Sequence, residues 1–138
     1  MGRRDTMQYL KNAPTGIMVK TREKKLTLPT TLNRYLGRLL LREKTTLKGR
    51  LDAIKSLTGI KRNPPIYINA SLCLIATHNL KNCETVLINS HTVLKVEACD
   101  PRTTRLIFDD LSELIVKRNV SVIEKRISQA RFLREKWN

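Results

Sequence analysis

A pair of prolines, Pro64 and Pro65, divides the sequence into two regions with different hydrophobic patterns. A helix cannot continue through consecutive prolines, because each lacks an N–H donor and restricts the residue before it. Before this pair, apolar residues recur at helical spacing, and after it they occur in short runs typical of strands. The sequence therefore predicts a single α+β domain. It would have two helices in its first half, then a small, mainly antiparallel sheet, and then a packed C-terminal helix.

The clearest helical pattern follows Pro29, where a threonine of the Thr30-Thr31 pair can cap the first turn. A stripe of apolar side chains at positions i, i+3, i+4, i+7 and i+8 marks one buried face, namely Leu32, Tyr35, Leu36, Leu39 and Leu40. A second stripe, repeating every four residues, consists of Arg34, Arg38 and Arg42. Such a stripe is either a solvated face or a surface that follows phosphates, and the surrounding positive charge favours phosphates.

A second helix is predicted over residues 47–57, with Gly59 as its terminator. Its leucines and isoleucine can share one face, while Lys48 and Lys55 can lie away from that face. Two helices with basic faces and a short connection are compatible with a helix-turn-helix, although the sequence gives no angle between them.

Strand patterns begin at residue 66. Hairpins are predicted for residues 66–68 with 72–76 and for 105–108 with 113–117, and further strands for 85–88 and 92–98. In the last of these, Val93 and Lys95 are expected on one face and Leu94 and Val96 on the other. Ser121 is expected to open the final helix, with Glu124 completing a capping box.

The first 15 residues are polar and basic and are expected to form a flexible arm. Residues 17–25 follow as a short strand with a basic exit that carries Lys20, Arg22, Lys24 and Lys25. The folded domain is therefore expected to span residues 16–138.

The strongest functional signal is charge, because 27 Lys and Arg face only 12 Asp and Glu, which gives a net charge of +15. Such a field repels itself and is best explained by a polyanionic partner, most commonly nucleic acid. No apolar stretch approaches the roughly 18 residues of a transmembrane helix, and no signal-peptide core follows the start. The chain is therefore expected to be cytoplasmic, with its cysteines reduced.

The basic residues of the first half are the predicted DNA contacts. Those expected to touch phosphates or enter the minor groove are Arg34, Arg38, Arg42, Lys48, Arg50, Lys55, Lys61 and Arg62. Lys20, Arg22, Lys24 and Lys25 are expected to add contacts that do not depend on base sequence. Only 4% of residues are aromatic, so stacking platforms for single strands are scarce and duplex DNA is favoured.

One ordered set of residues carries a family resemblance. It comprises Gly49-Arg50 before a helix, Leu57-Thr58-Gly59-Ile60 with Lys61, Pro64-Pro65-Ile66-Tyr67-Ile68, Thr77, Ile88-Asn89 with His91, Phe108, Val120-Ser121, Gln129-Ala130 and Leu133-Arg134. In these residues the chain resembles the ComK proteins, competence transcription factors of Gram-positive bacteria, as a short divergent member. The resemblance implies an activator that binds AT-rich DNA largely through the minor groove, as a homo-oligomer under adaptor-mediated proteolysis.

Other interpretations stay open. Cys73, His78 and Cys83 have the spacing of part of a zinc knuckle, but the missing ligand falls at Ala70, so no metal is expected. The carboxylates of the second half could serve a nuclease, yet they lack a catalytic motif, so no catalytic residues and no cofactor are expected. An RNA-binding or ribosome-associated protein and a partner-binding antagonist of a full-length relative are the remaining alternatives.

Overall fold

A computed structural model of the chain describes residues 6–137. Its strands are β1 (Met7–Ala13), β2 (Gly16–Thr21), β3 (Lys25–Leu28), β4 (Ile66–Asn69), β5 (Leu72–Ala76), β6 (Val86–Asn89), β7 (Val93–Asp100), β8 (Thr103–Phe108) and β9 (Glu113–Val116). Its α-helices are α1 (Leu32–Leu41), α2 (Leu47–Thr58) and α3 (Val120–Trp137). The predicted α+β class, with antiparallel sheets and a C-terminal helix, is confirmed.

A six-stranded sheet in the order β3-β2-β1-β6-β5-β4 forms the centre of the molecule, and every pairing in it is antiparallel. Its inner strands are buried on both faces, which explains their continuous apolar runs. In β5, Cys73 and Ile75 belong to one core cluster, while Leu74 and Ala76 belong to another. The two clusters therefore lie on opposite faces of the sheet, as the strand period of two requires.

Each face of the central sheet has its own cover. Helix α1 packs Leu32, Leu36 and Leu40 on one face. A second sheet, in the order β7-β8-β9, and helix α3 cover the other face with Phe108 and Leu133 among their buried residues. Helix α2 contributes to both clusters, since its Ile54 joins the α3 side while Leu47 and Leu51 pack on the α1 side.

The flexible arm expected over residues 1–15 is corrected over its described part. Residues 7–13 form β1, which lies between β2 and β6 inside the sheet. Its Gln8, Tyr9 and Leu10 are buried. The strand was missed because Gln8, Lys11 and Asn12 interrupt its apolar residues, and burial of a strand depends on neighbours that are distant in the sequence.

The helix ends follow local capping chemistry. The hydroxyl of Thr31 accepts the Arg34 N–H at 3.2 Å, and Gly59 ends α2 with a left-handed φ of 74°, both as predicted. Helix α3 differs, because the side chain of Asn119 accepts the Ser121 N–H at 2.8 Å. The cap is therefore Asn119, and the expected capping box of Ser121 and Glu124 is wrong.

Candidate nucleic-acid interface

The outer side of α1 carries the arginine stripe. Arg34, Arg38 and Arg42 are exposed, opposite the buried leucines of the same helix. Burial raises the pKa of the Tyr35 hydroxyl and the positive charge of Arg42 lowers it, so the stripe ends beside this tyrosine. Gly37 lies in open space, with nothing within 4 Å of the position of a Cβ. The helix thus presents three guanidinium groups on a surface without steric cover.

A second basic group lies around the end of α2. Lys55, Lys61 and Arg62 line an open cavity of about 480 Å³. Ile66 and Ala76 are among the apolar residues of its wall, and Asn79 and Leu80 close it on the β5–β6 side. The structure therefore brings together three of the predicted DNA contacts at one end of the central sheet.

Lys48 lies near the start of α2 and is exposed. Its Nζ contacts a carboxylate oxygen of Asp52 at 2.9 Å, and this hydrogen bond lowers the pKa of Asp52. Both side chains are largely exposed, so the pair contributes little to stability and leaves Lys48 accessible to a phosphate.

Arg50 is in a different environment from the other predicted contacts. It is 8% exposed, and its guanidinium carbon lies 4.6 Å from the ring centroid of Trp137 and 5.9 Å from that of Tyr67. The two rings are themselves stacked, with centroids 4.6 Å apart. This cation–π arrangement joins α2 to α3. Arg50 is therefore a packing residue whose guanidinium is less accessible to a phosphate than that of Arg38, and its role as a DNA contact stays a prediction.

The basic residues at the end of β2 lie on the other side of the sheet from α1. Lys20 donates to Oε1 of Gln8 at 3.2 Å, and Arg22 forms an ion pair with Asp109 in the β8–β9 turn. Lys24 and Lys25 are exposed beside them. Because this group faces the smaller sheet, it does not continue the arginine stripe of α1. The predicted DNA contacts therefore lie on more than one surface of the protein.

A further basic cluster went unrecognised in the sequence. Arg118 precedes α3, Arg126 lies two turns into that helix, and His78 follows β5. Burial lowers the pKa of His78, and the charges of Arg118 and Arg126 lower it further. The three residues come from segments distant in the sequence, so no spacing pattern could have connected them.

The carboxylates of the second half are engaged in turns and ion pairs. Asp100 accepts the Arg102 N–H at 2.7 Å, Asp110 accepts the Ser112 hydroxyl at 2.6 Å, and Glu113 lies 3.7 Å from Arg105. Among residues 6–137, no group of three or more His, Cys, Asp and Glu side chains could hold a metal ion. The thiol of Cys73 is buried in the core, and burial raises its pKa to about 12.

Comparison with protein-family models gave a match to the model described as ComK protein, over residues 6–138. The chain belongs to the ComK family. The match includes β1, in agreement with its place inside the sheet. Searches of curated proteins and of solved structures gave no match.

Membership of the ComK family indicates a competence transcription factor, which is a regulatory rather than an enzymatic role. The ComK-type chain described here presents its basic groups on α1, around the end of α2 and beside α3. Within its described residues, no helix is long and apolar enough to cross a membrane.

Proposed function

We propose that this ComK-family protein binds duplex DNA at AT-rich sites, largely through the minor groove, and regulates transcription as a homo-oligomer in the cytoplasm. The observation that carries the proposal is the exposed stripe of Arg34, Arg38 and Arg42 on α1, in a chain with a net charge of +15. AT-rich tracts have a narrow minor groove whose strong negative potential attracts arginine.

The spacing of the stripe suits a DNA backbone. Residues four apart on a helix are separated by about 6 Å along its axis, and phosphates on one strand rise by about 3.4 Å each. Neighbouring arginines of the stripe are therefore far enough apart to contact different phosphates of one strand. Lys55, Lys61 and Arg62 would add contacts from the end of α2, and Lys48 from its start.

The test is a titration of the protein into an AT-rich duplex, a GC-rich duplex and a structured RNA, followed by fluorescence anisotropy at several salt concentrations. We expect the tightest binding to the AT-rich duplex. Equal, salt-sensitive binding to all three would contradict the proposal and favour an RNA-binding protein. Absence of binding together with association with a longer ComK protein would favour the partner-binding antagonist.

Substitution of Arg38 tests the stripe itself. Arg38→Ala should reduce the slope of log K against log salt by about 0.9, because one phosphate contact is lost, while the melting temperature stays unchanged. Arg131→Ala is the matched control, since Arg131 is an exposed arginine on α3. Equal slopes for the two variants would place the DNA elsewhere on the protein.

A further inference from the structure

Three loops meet at one end of the central sheet. They are the segment before β4, the β5–β6 loop, and the segment before α3. Lys61 and Arg62 of the first share a cavity with Asn79 and Leu80 of the second. Nζ of Lys117 in the third lies 3.7 Å from the carboxylate of Glu84 in the second. The basic cavity beside α2 and the basic cluster beside α3 are thus neighbours across the β5–β6 loop.

The position of Arg126 in this region is fixed by the backbone. One terminal nitrogen of its guanidinium donates to the carbonyl oxygen of Thr77 at 2.7 Å and also to that of Ala76. These bonds occupy one of the three guanidinium nitrogens. Burial lowers the pKa of Arg126, and the nearby charge of Arg118 lowers it further, so the two cations are close enough to repel each other.

Arg118 forms no ion pair with an acidic side chain in the described part of the chain. None of the ion pairs among residues 6–137 includes Arg118 or Arg126. The Nε atom of Arg118 is buried and has no hydrogen-bond partner among those residues. A buried donor without a partner and two cations held together both reduce stability. A phosphate beside the two guanidinium groups would offset the repulsion between them.

We propose that Arg118, Arg126 and His78 bind a phosphate group, which in the cell is a phosphodiester of the DNA backbone. The assignment of the phosphate to DNA rests on the proposed function, whereas the anion site itself does not. Two guanidinium groups can donate several parallel hydrogen bonds to phosphate oxygens. DNA bound here and at Lys55, Lys61 and Arg62 would cross the end of the sheet.

His78 gives the site its dependence on pH. The charged groups that act on it are Arg118, Arg126 and Glu84, and its ring also interacts with the backbone of Lys117. Nδ1 of its ring lies 2.9 Å from the hydroxyl of Thr77. A bound phosphate adds negative charge beside the ring and favours the imidazolium. By linkage, protonation of His78 must then strengthen phosphate binding.

The first experiment uses inorganic phosphate as the probe and NMR of the two histidines of the wild-type protein as the readout. Saturating phosphate should raise the pKa of His78 by about half a pH unit or more, as one charge at about 6 Å does even in high dielectric. His91 serves as the internal reference. An unchanged pKa of His78 would overturn the anion site.

The second experiment uses the AT-rich duplex with Arg118→Ala, and with Arg118→Gln in case the shorter side chain impairs folding. Either variant should reduce the salt slope by about 0.9, and Arg131→Ala should leave it unchanged. Wild-type affinity should rise by up to about threefold as the pH falls from 7.5 to 5.5, which is the limit set by half a pH unit of linkage, and His78→Gln should abolish that rise.

The outcomes separate the two proposals. If the wild type binds the duplex but both Arg118 variants keep its salt slope, the DNA contact at this site is overturned and the proposed function stands. If phosphate shifts His78 but no duplex binds, the anion site stands and the proposed function fails.

Discussion

The guanidinium of Arg50 lies between α2 and the last turn of α3, in contact with the faces of Trp137 and Tyr67. Arg50→Ala should lower the free energy of unfolding by about 2 kcal/mol, because a desolvated cation–π contact and the packing of the aliphatic stem are both lost. Urea denaturation followed by the fluorescence of Trp137, the only tryptophan, measures this. A variant of unchanged stability but reduced salt slope in DNA binding would instead make Arg50 a DNA contact.

Both histidines make stability depend on pH. Burial lowers the pKa of His78 and of His91, with contributions from Arg118 and Arg134 respectively. In each case the fold favours the neutral ring, so the unfolded chain binds more protons. The contribution of the neutral histidines to the free energy of unfolding should be fully present above the histidine pKa of the unfolded chain, about 6.5. It should be lost as the pH falls through that value.

Denaturation at pH 7 and at pH 5, without phosphate, measures this loss. The pKa values of three aspartates are also lowered, namely those of Asp52, Asp100 and Asp110. Their contribution to stability is lost only when the pH falls below about 4, so it does not affect the comparison of pH 7 with pH 5. Replacement of both histidines by glutamine should reduce the difference between the two pH values. A protein that is more stable at pH 5 would contradict the assignment.

At the scale of the element, the β1–β2 hairpin depends on Gly16. Its φ is 149°, and a Cβ at this position would lie 2.0 Å from the carbonyl oxygen of Leu28 in β3. Gly16→Ala should therefore destabilise the protein by about 2 kcal/mol or more, because backbone atoms must move. Chemical denaturation gives the value.

Gly37→Ala is the matched control for this substitution. Gly37 lies inside α1 with open space around it, and alanine there should stabilise the helix by up to about 1 kcal/mol. If Gly16→Ala were as harmless as Gly37→Ala, the close approach of β3 to the start of β2 would be contradicted.

The elements that could be predicted are those specified by local chemistry. Thr31 caps the start of α1 through its own hydroxyl, and Gly59 ends α2 because it has no Cβ. The sequence alone is therefore sufficient to predict these helix ends. Which side chains of β7 face the core could not be predicted, because the register shifts between Val93 and Lys95. As a result Leu94 is 62% exposed, while Val93 and Val96 both pack against the core.

The candidate site likewise has a part that could be predicted from local sequence and a part that depends on tertiary packing. The α1 stripe follows from helix periodicity, whereas Arg50 has the same charge and the same helical context but meets Trp137 from the far end of the chain. Arg118, Arg126 and His78 are assembled only by the packing of α3 against the end of β5. Periodicity reports which side of an element is buried, and it does not report which other element covers it.

At the scale of the whole molecule, charge repulsion should dominate over ion pairing. The net charge is +15, and the ion pairs among the described residues lie mostly at the surface. Added potassium chloride should therefore raise the melting temperature by a few degrees, equivalent to about 1 kcal/mol. A fall in melting temperature with salt would show that attraction within the pairs is the larger effect.

The pairing of β1 with β6 joins Tyr9 to Ile88 and Leu10 to Leu87. On the ribosome, the hairpin of β1 and β2 leaves the exit tunnel early, yet the inner edge of β1 has no partner until β6 has been synthesised. Closing so long a loop is slow, and an unpaired strand edge invites association with other chains. The newly made chain therefore exposes a half-built sheet until β6 pairs with β1.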